Sequence, residues 1–144
     1  MPKSTIFLPD VNVWLALASQ RHVHAPTCGN WLNSIQSGEI AFCRITQMGL
    51  LRLLTNESVM GSDVLSSRRA WHIYRTILAD DRIQFAPEPY TLEQEWRKLT
   101  AQNHPTPKTW TDAYLVAFAR AGGMQLVTLD RAVLSIASEA LLLR

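Results

Sequence analysis

The sequence predicts a single α/β domain over residues 1–144, in which helices flank a central, mainly parallel sheet of four to five strands. Short apolar runs alternate with segments in which apolar residues recur at helical spacing, and this alternation is typical of parallel sheets covered by helices. An apolar content of 47% supplies one complete core, and a chain of this length hardly supports a second domain. Charged residues, at 18%, are too few for a disordered chain.

Four short apolar runs predict strands at residues 5–9, 39–45, 82–86 and 124–129. The first run is almost wholly apolar, as expected for a strand that is covered on both faces. Pro9 is expected at its end, because proline has no N–H group to donate to a neighbouring strand. The apolar tail, residues 131–144, fits either a helix or a returning strand.

Helical spacing of apolar residues predicts helices at residues 11–19, 24–37, 47–54 and 63–79, with two more towards the carboxyl terminus. Thr46 is expected to cap the third of these helices, and Thr91 the fifth, which runs to about residue 102. Two prolines make residues 103–108 a stiff loop. The last helix is expected to begin with a capping box of Thr109 and Asp112 and to end at the double glycine that follows.

Composition and charge limit the classes of function. The formal net charge of +2 is too small to indicate a nucleic-acid-binding protein by itself, although the planar side chain of arginine suits phosphate. Arg68, His72 and Arg75 share one helix face by their spacing, and this face is either a solvated surface or a binding surface for RNA. No run reaches the roughly 18 apolar residues that span a bilayer, and no cleavable leader is evident, so we expect a cytoplasmic protein with no membrane contact. Cys28 and Cys43 are isolated and are expected to be buried free thiols.

The tryptophans fall into two groups. Three of them, Trp31, Trp71 and Trp96, lie at helical positions that are expected to face the core. Trp14 and Trp110 flank aspartates, where they pack in the core or stack on a nucleic-acid base.

Three aspartates are placed where an apolar segment meets a polar edge. Asp10 follows the first predicted strand, Asp130 ends the fourth, and Asp112 opens the last apolar helix. That helix descends roughly 15 Å at 1.5 Å per residue, and the next strand climbs back roughly 20 Å at about 3.3 Å per residue. Asp130 is therefore expected at the level of Asp112, and Asp10 opens on the same carboxyl edge of the sheet.

Carboxylates that share one edge repel each other unless a cation neutralises them. Oxygen ligands favour Mg²⁺ or Mn²⁺, and such ions suit phosphodiester hydrolysis because they activate water and stabilise the leaving oxygen. Each acid also has a structural alternative, since Asp10 and Asp112 are placed to cap helices and Asp130 to close a turn with Arg131. We expect a shared metal site rather than three separate structural roles.

Several stretches of the sequence resemble PIN-domain nucleases. The segment LPDVNVWL, residues 8–15, is similar to their opening Asp-x-Asn motif. The segment TDAYLVAFA, residues 111–119, and the segment LVTLD, residues 126–130, are similar to their closing half. The segment TQMGLLRLLTN, residues 46–56, resembles the VapC toxin branch, as do the pairs HA and WL that precede it. The resemblance covers nearly the whole chain.

This resemblance implies a metal-dependent ribonuclease that a VapB-type antitoxin silences and that forms homodimers. It implies that the three aspartates hold Mg²⁺ or Mn²⁺ and that Asn12 and Thr128 orient carboxylates or water through hydrogen bonds. Arg52 is expected near the substrate phosphate or beside the acids, with a structural salt bridge as its alternative.

One position departs from the pattern of the family. Most such nucleases carry a glutamate three residues before the arginine, and here that position is Gly49. Gln47 is near enough in sequence to hold a metal-bound water, but an amide supplies no negative charge. We expect a site for one ion, with a second position weakened unless the substrate phosphate brings its own ion.

Two other functions compete with a ribonuclease. The missing glutamate also fits a degenerate domain that binds RNA or a partner without cleavage. A haloacid-dehalogenase-like phosphatase with Asp10 as nucleophile is the other alternative, but that chemistry needs an aspartate where Asn12 stands. It also needs a lysine, and the chain has only Lys3, Lys98 and Lys108.

Overall fold

The structure is a computed structural model that describes residues 5–101 and 106–144. In chain order its elements are β1 (Ile6–Pro9), α1 (Val11–Ala18), α2 (Ala25–Ser34), β2 (Glu39–Phe42), α3 (Arg44–Leu54), α4 (Glu57–Met60), α5 (Ser67–Leu78), β3 (Ile83–Phe85), α6 (Leu92–Thr100), α7 (Pro107–Gly122), β4 (Gln125–Thr128) and β5 (Leu141–Leu142). Short 3₁₀ turns lie at Gly61–Asp63 and Arg131–Ser135.

The strands form one sheet in the order β3-β2-β1-β4-β5, and every neighbouring pair is parallel. This confirms the predicted α/β class and the parallel sheet flanked by helices. The tail, which the sequence left open between helix and strand, forms a 3₁₀ turn and then pairs β5 with β4. The chain adds strands first to one side of β1 and then to the other, so a crevice is expected where β1 and β4 end.

The core lies on both faces of the sheet because successive side chains of a strand point to opposite sides. Ile40 and Phe42 of β2 belong to the cluster that α1, α3 and α5 cover, whereas Ala41 belongs to the cluster on the α7 side. Trp14 of α1 is fully buried and stacks on Phe42 with ring centroids 3.7 Å apart. This stack fixes the first helix on the sheet directly after Asp10.

Helix α3 begins earlier than the sequence-based prediction. Cys43 is its N-cap, and Thr46 occupies the third helical position, where its hydroxyl accepts the Cys43 backbone N–H at 3.0 Å. The strand predicted over residues 39–45 therefore ends at Phe42. The expected cap at Thr46 was wrong by one turn, because a threonine in the third position can reach back to the cap residue.

The helix predicted over residues 63–79 is interrupted at its start. Asn56 caps the short helix α4 by accepting the backbone N–H of Ser58 at 2.9 Å. Ser66 then caps α5, accepting the backbone N–H of Arg69 at 3.3 Å. The polar segment between these caps cannot continue a helix through both of them.

Helix α7 begins at Pro107 with Thr106 as its N-cap, three residues before the predicted cap at Thr109, and its capping box consists of Thr106 and Thr109. Proline fits the first helical position because that N–H has no partner in the helix. Lys108 and Asp112 consequently lie one turn apart on α7, and Asp112 is in the second turn rather than at the cap. The predicted loop at residues 103–108 lies partly outside the described residues.

The predictions for individual side chains had mixed outcomes. Cys28 and Cys43 are buried free thiols, as predicted. Trp31 is buried, but Trp71 is 45% exposed, because α5 turns Ala70 and Tyr74 towards the core instead. None of the helices in residues 5–101 and 106–144 combines the length and the apolar character needed to cross a membrane.

Candidate active site

Strands β1 and β4 bring the first and third aspartates to one edge of the sheet. Pro9 lies opposite Val127 in the parallel register, and the Asp10 N–H donates to the Val127 carbonyl at 2.9 Å. Asp10 directly follows β1, and Asp130 comes two residues after the end of β4. Both acids therefore lie at the crevice where the strand order reverses.

Asp10 is held through both of its carboxylate oxygens. Its Oδ1 accepts the backbone N–H of Val13 at 3.1 Å, which caps α1, and its Oδ2 accepts the Thr128 hydroxyl at 2.5 Å. Burial raises the pKa of Asp10 above its ordinary value, the two hydrogen bonds oppose this rise, and the charges of Asp112 and Asp130 add to it. The charges of Asp112 and Asp130 therefore add to the cost of ionising Asp10.

The Thr128 side chain links the first and third aspartates. It is fully buried at the end of β4, and its hydroxyl donates to Asp10 while it accepts the backbone N–H of Asp130 at 2.9 Å. A hydroxyl has one proton to donate and lone pairs that accept, so one side chain serves both contacts. Thr128 thereby orients the Asp10 carboxylate and the backbone at Asp130.

The two carboxylate oxygens of Asp130 accept hydrogen bonds from different groups, one in the following turn and one on a lysine. Its Oδ1 accepts the backbone N–H of Ala132 at 2.9 Å and caps the 3₁₀ turn, and its Oδ2 accepts from the ammonium of Lys108. The Lys108 bond, followed by the Ala132 bond, holds the pKa of Asp130 below its ordinary value. The turn role that the sequence allowed for Asp130 is present, together with an ion pair that the sequence did not predict.

Asp112 joins these groups from α7. Burial raises its pKa above the ordinary value, the charge of Lys108 lowers it, and the charge of Asp130 raises it. Because Thr106 and Thr109 form the capping box, the helix start does not depend on Asp112. We call Asp10, Asp112, Asp130 and Lys108 the acid–lysine cluster.

Sequence reasoning missed Lys108, which the prediction placed in the loop before the last helix. Once the helix begins at Pro107, Lys108 and Asp112 stand four residues apart on one helix face. The signal that would have found the lysine is the pair of threonines at 106 and 109, which mark a helix start three residues earlier than Thr109 with Asp112.

A cleft of about 750 Å³ lies beside the acid–lysine cluster, and its lining includes Val11, Gly49, Arg52, Glu57 and Thr111. Thr111 immediately precedes the second aspartate, so the cleft opens next to the acids. Arg52 is exposed and forms no salt bridge with the acidic residues that the structure describes. Its guanidinium is therefore available to a ligand in the cleft.

Gly49 is where α3 passes closest to α1. A Cβ atom at this position would lie 2.6 Å from Cγ2 of Val11, far inside van der Waals contact. A glutamate, which the resemblance leads us to expect at this position, therefore has no space unless Val11 moves.

Asn12 and Gln47 are not brought to the acids. Asn12 is exposed and lines a separate depression with residues of α1 and α4, and no hydrogen bond of the described residues joins it to an aspartate of the cluster. Gln47 is buried, accepts from Arg44 at 2.5 Å and is hydrogen bonded to Tyr74. Two residues along a helix differ by about 200° in direction, so Gln47 faces away from Gly49 and cannot serve the predicted substrate role without leaving these partners.

A family model for the PIN domain matches residues 7–139 of the chain. Ribonuclease VapC41 of Mycobacterium tuberculosis is 50% identical over 132 residues, which cover 88% of this chain and 90% of that protein. Ribonuclease VapC38 of the same organism is 30% identical over 139 residues, covering 92% of this chain and 90% of that protein.

Solved structures share the fold at much lower identity. The crystal structure of Mycobacterium tuberculosis VapC20, a sarcin–ricin loop cleaving toxin, gives a TM-score of 0.68 at 16% identity and covers 92% of this chain and 95% of that one. VapBC2 from Rickettsia felis, bound to a DNA fragment from its promoter, gives a TM-score of 0.71 at 15% identity, covering 95% and 97%. The domain match and the identity with VapC41 together show that this chain belongs to the PIN-domain family, among its VapC-type ribonuclease toxins.

Proposed function

We propose that this protein is a Mg²⁺- or Mn²⁺-dependent endoribonuclease that acts as the toxin of a VapBC-type toxin–antitoxin module. The observation that carries the proposal is the placement of Asp10 and Asp130 after the neighbouring strands β1 and β4, linked through Thr128, with Asp112 beside them on α7, in a chain that is 50% identical to a ribonuclease. The reaction is hydrolysis of RNA phosphodiester bonds.

The donor set of the cluster fits a hard divalent cation. Carboxylate oxygens are the ligands that Mg²⁺ and Mn²⁺ prefer, and burial together with repulsion destabilises the ionised acids until a cation joins them. Within the described residues no three acidic, histidine or cysteine side chains converge as a finished ion site. Asp130 is turned to Lys108, whose side chain is 64% exposed, so the lysine has room to release it.

Each of the three aspartates has a distinct part in the proposed reaction. Asp10 is the fixed ligand, because the Val13 N–H and the Thr128 hydroxyl hold its two oxygens. Asp112 and Asp130 complete the ligand set from α7 and from the end of β4. A bound ion of this kind lowers the pKa of a water molecule and stabilises negative charge on the phosphate.

The cleft beside the cluster is the proposed RNA site, and Arg52 is the residue proposed to contact the substrate. A guanidinium binds phosphate through two parallel N–H groups, and Arg52 lines the cleft with its head exposed. Gln47 is left out of the proposed site because its amide is engaged in the core. Asn12 is also left out, since it faces a different depression.

A VapB-type antitoxin is the proposed partner, together with a homodimer, and both follow from membership in the VapC-type branch. Met48 of α3 and Trp71 of α5 are each about half exposed and line one shallow notch, which offers apolar area for such a contact. A cytoplasmic location, where cellular RNA is present, is part of the same proposal.

A PIN domain that binds RNA without cleaving it is the second candidate, and Gly49 is the observation that favours it. The phosphatase alternative is not retained, because the chain belongs to the PIN-domain family and Asn12 stands where that chemistry needs an aspartate.

Cleavage of total cellular RNA separates the two candidates. The purified protein is expected to cleave RNA with Mg²⁺ or Mn²⁺ and to stop when a chelator is added. Asp10→Asn should lose at least about a hundredfold in rate, because it removes a charge from the ligand set while asparagine still caps α1. The exposed Asp81→Asn is the matched control and should cleave like the wild type. Metal binding and RNA binding without cleavage by the wild type would favour the non-catalytic domain.

A further inference from the structure

Lys108 is a positive charge inside a group of three acids. Its ammonium bonds to Asp130, and this bond raises the pKa of Lys108, with further increases from the charges of Asp112, Asp130 and Asp10 and an opposing effect of burial. Lys108 also lies one turn before Asp112 on α7. Its charge is therefore next to two of the acids and not only to its bonded partner.

The net charge of the site is set by three acids and one base. Gly49 supplies no carboxylate, and the contact with Val11 leaves no space for one. Three carboxylates carry three negative charges, and with the ammonium of Lys108 the net charge of the four side chains is −2. One divalent ion neutralises this net charge, and a second ion would make the site positive.

We propose that Lys108 supplies the second positive charge of the site and contacts the substrate phosphate, in place of a second divalent ion that would depend on a carboxylate at Gly49. This inference rests on the proposed function. Before an ion enters, the ammonium neutralises Asp130. If Asp130 were to bind the ion, the ammonium would remain on α7 one turn before Thr111, which lines the cleft, and would be placed to donate to a phosphate oxygen.

Replacement of Lys108 by methionine tests this inference with two separate readouts. Lys108→Met keeps the apolar stem and removes the charge. Mn²⁺ binding, measured by isothermal titration calorimetry without RNA, should tighten by roughly tenfold because a cation no longer repels the ion or holds Asp130. RNA cleavage at saturating Mn²⁺ should nevertheless fall by about tenfold or more, because a donor to the phosphate is lost.

Two further variants serve as controls. Lys108→Arg keeps the charge and should stay within about threefold of the wild type in Mn²⁺ affinity. Lys98→Met removes an exposed lysine of α6, which pairs with Glu95, and should change neither readout. Thermal unfolding of each variant should show that it is folded.

The outcomes separate this inference from the function on which it rests. Unchanged Mn²⁺ affinity in Lys108→Met would overturn the inference, and so would tighter binding with undiminished cleavage or a joint loss of binding and cleavage. A wild-type protein that binds no Mn²⁺ would overturn the proposed metal-dependent function, and this inference with it.

Discussion

At the level of single residues, Thr128 determines how the acids are held. Its buried hydroxyl is the hydrogen-bond donor to Asp10 and the acceptor for the backbone N–H of Asp130. Without it the Asp10 carboxylate would be held only by the Val13 N–H, and the Asp130 N–H would lose its acceptor. One hydroxyl thus connects two strands at the point where the proposed ion binds.

Thr128→Val should reduce both stability and activity. Valine has nearly the same shape but leaves the Asp130 N–H and one Asp10 oxygen without their partner, so the free energy of unfolding should fall by about 1–3 kcal/mol. RNA cleavage should fall by roughly tenfold as the Asp10 carboxylate loses its orientation. Urea unfolding and cleavage of the same RNA substrate measure the two effects.

Thr128→Ser is the matched control for this change, because it keeps the hydroxyl and loses only a methyl group. Its cleavage rate should remain within a few-fold of the wild type, with a stability loss of about 1 kcal/mol. A valine variant as active as the serine variant would show that the hydroxyl does not position the acids.

At the level of secondary-structure elements, the contact between α1 and α3 accounts for the departure of this chain from its family. Gly49 brings the backbone of α3 against the side chain of Val11, directly after the first aspartate. Trp14 of α1 and Leu50 of α3 belong to the same buried cluster as Phe42, so the two helices are packed together beside Gly49. A longer side chain at this position has to displace Val11.

Gly49→Ala should destabilise the protein although alanine favours helices. The new Cβ would meet Val11 at 2.6 Å, and the repacking should lower the free energy of unfolding by about 1–3 kcal/mol. Gly29→Ala is the matched control on α2, because nothing lies within 4 Å of its Cβ, and it should stabilise by about 0.5–1 kcal/mol. Denaturant unfolding measures both.

Adding Val11→Ala to Gly49→Ala should restore part of the lost stability, because it removes the atoms that collide. A Gly49→Ala protein as stable as the wild type would mean that α1 and α3 separate readily, and a glutamate would then fit at this position without cost.

At the level of the whole molecule, the order of elements in the sequence was sufficient to predict the fold. Alternating apolar runs and helical periods predict a parallel sheet, and parallel strands direct their carboxyl ends to one edge. Asp10 and Asp130 follow neighbouring parallel strands in the structure, which is why both lie at the same edge of the sheet. Asp112 joins them because α7 and β4 are consecutive and antiparallel in direction.

The parts of the site that were not predicted depend on contacts between elements. Lys108 joins the acids because α7 begins at Pro107, and a prediction that starts the helix three residues later leaves Lys108 outside it. The direction of Gln47 depends on how α3 packs on α5, which apolar periodicity on a short helix does not define. The loss of stability expected from a side chain at Gly49 depends on Val11 of α1, whose position cannot be read from the sequence around Gly49.

A crystal structure of the protein grown with Mn²⁺ is the first measurement to make on the proposed metal site, because anomalous scattering locates the ion without assumptions about the ligands. The prediction is one anomalous peak per chain, bonded to carboxylate oxygens of Asp10, Asp112 and Asp130 and absent from crystals treated with a chelator. No peak at saturating Mn²⁺, or a peak away from these three aspartates, would contradict the account.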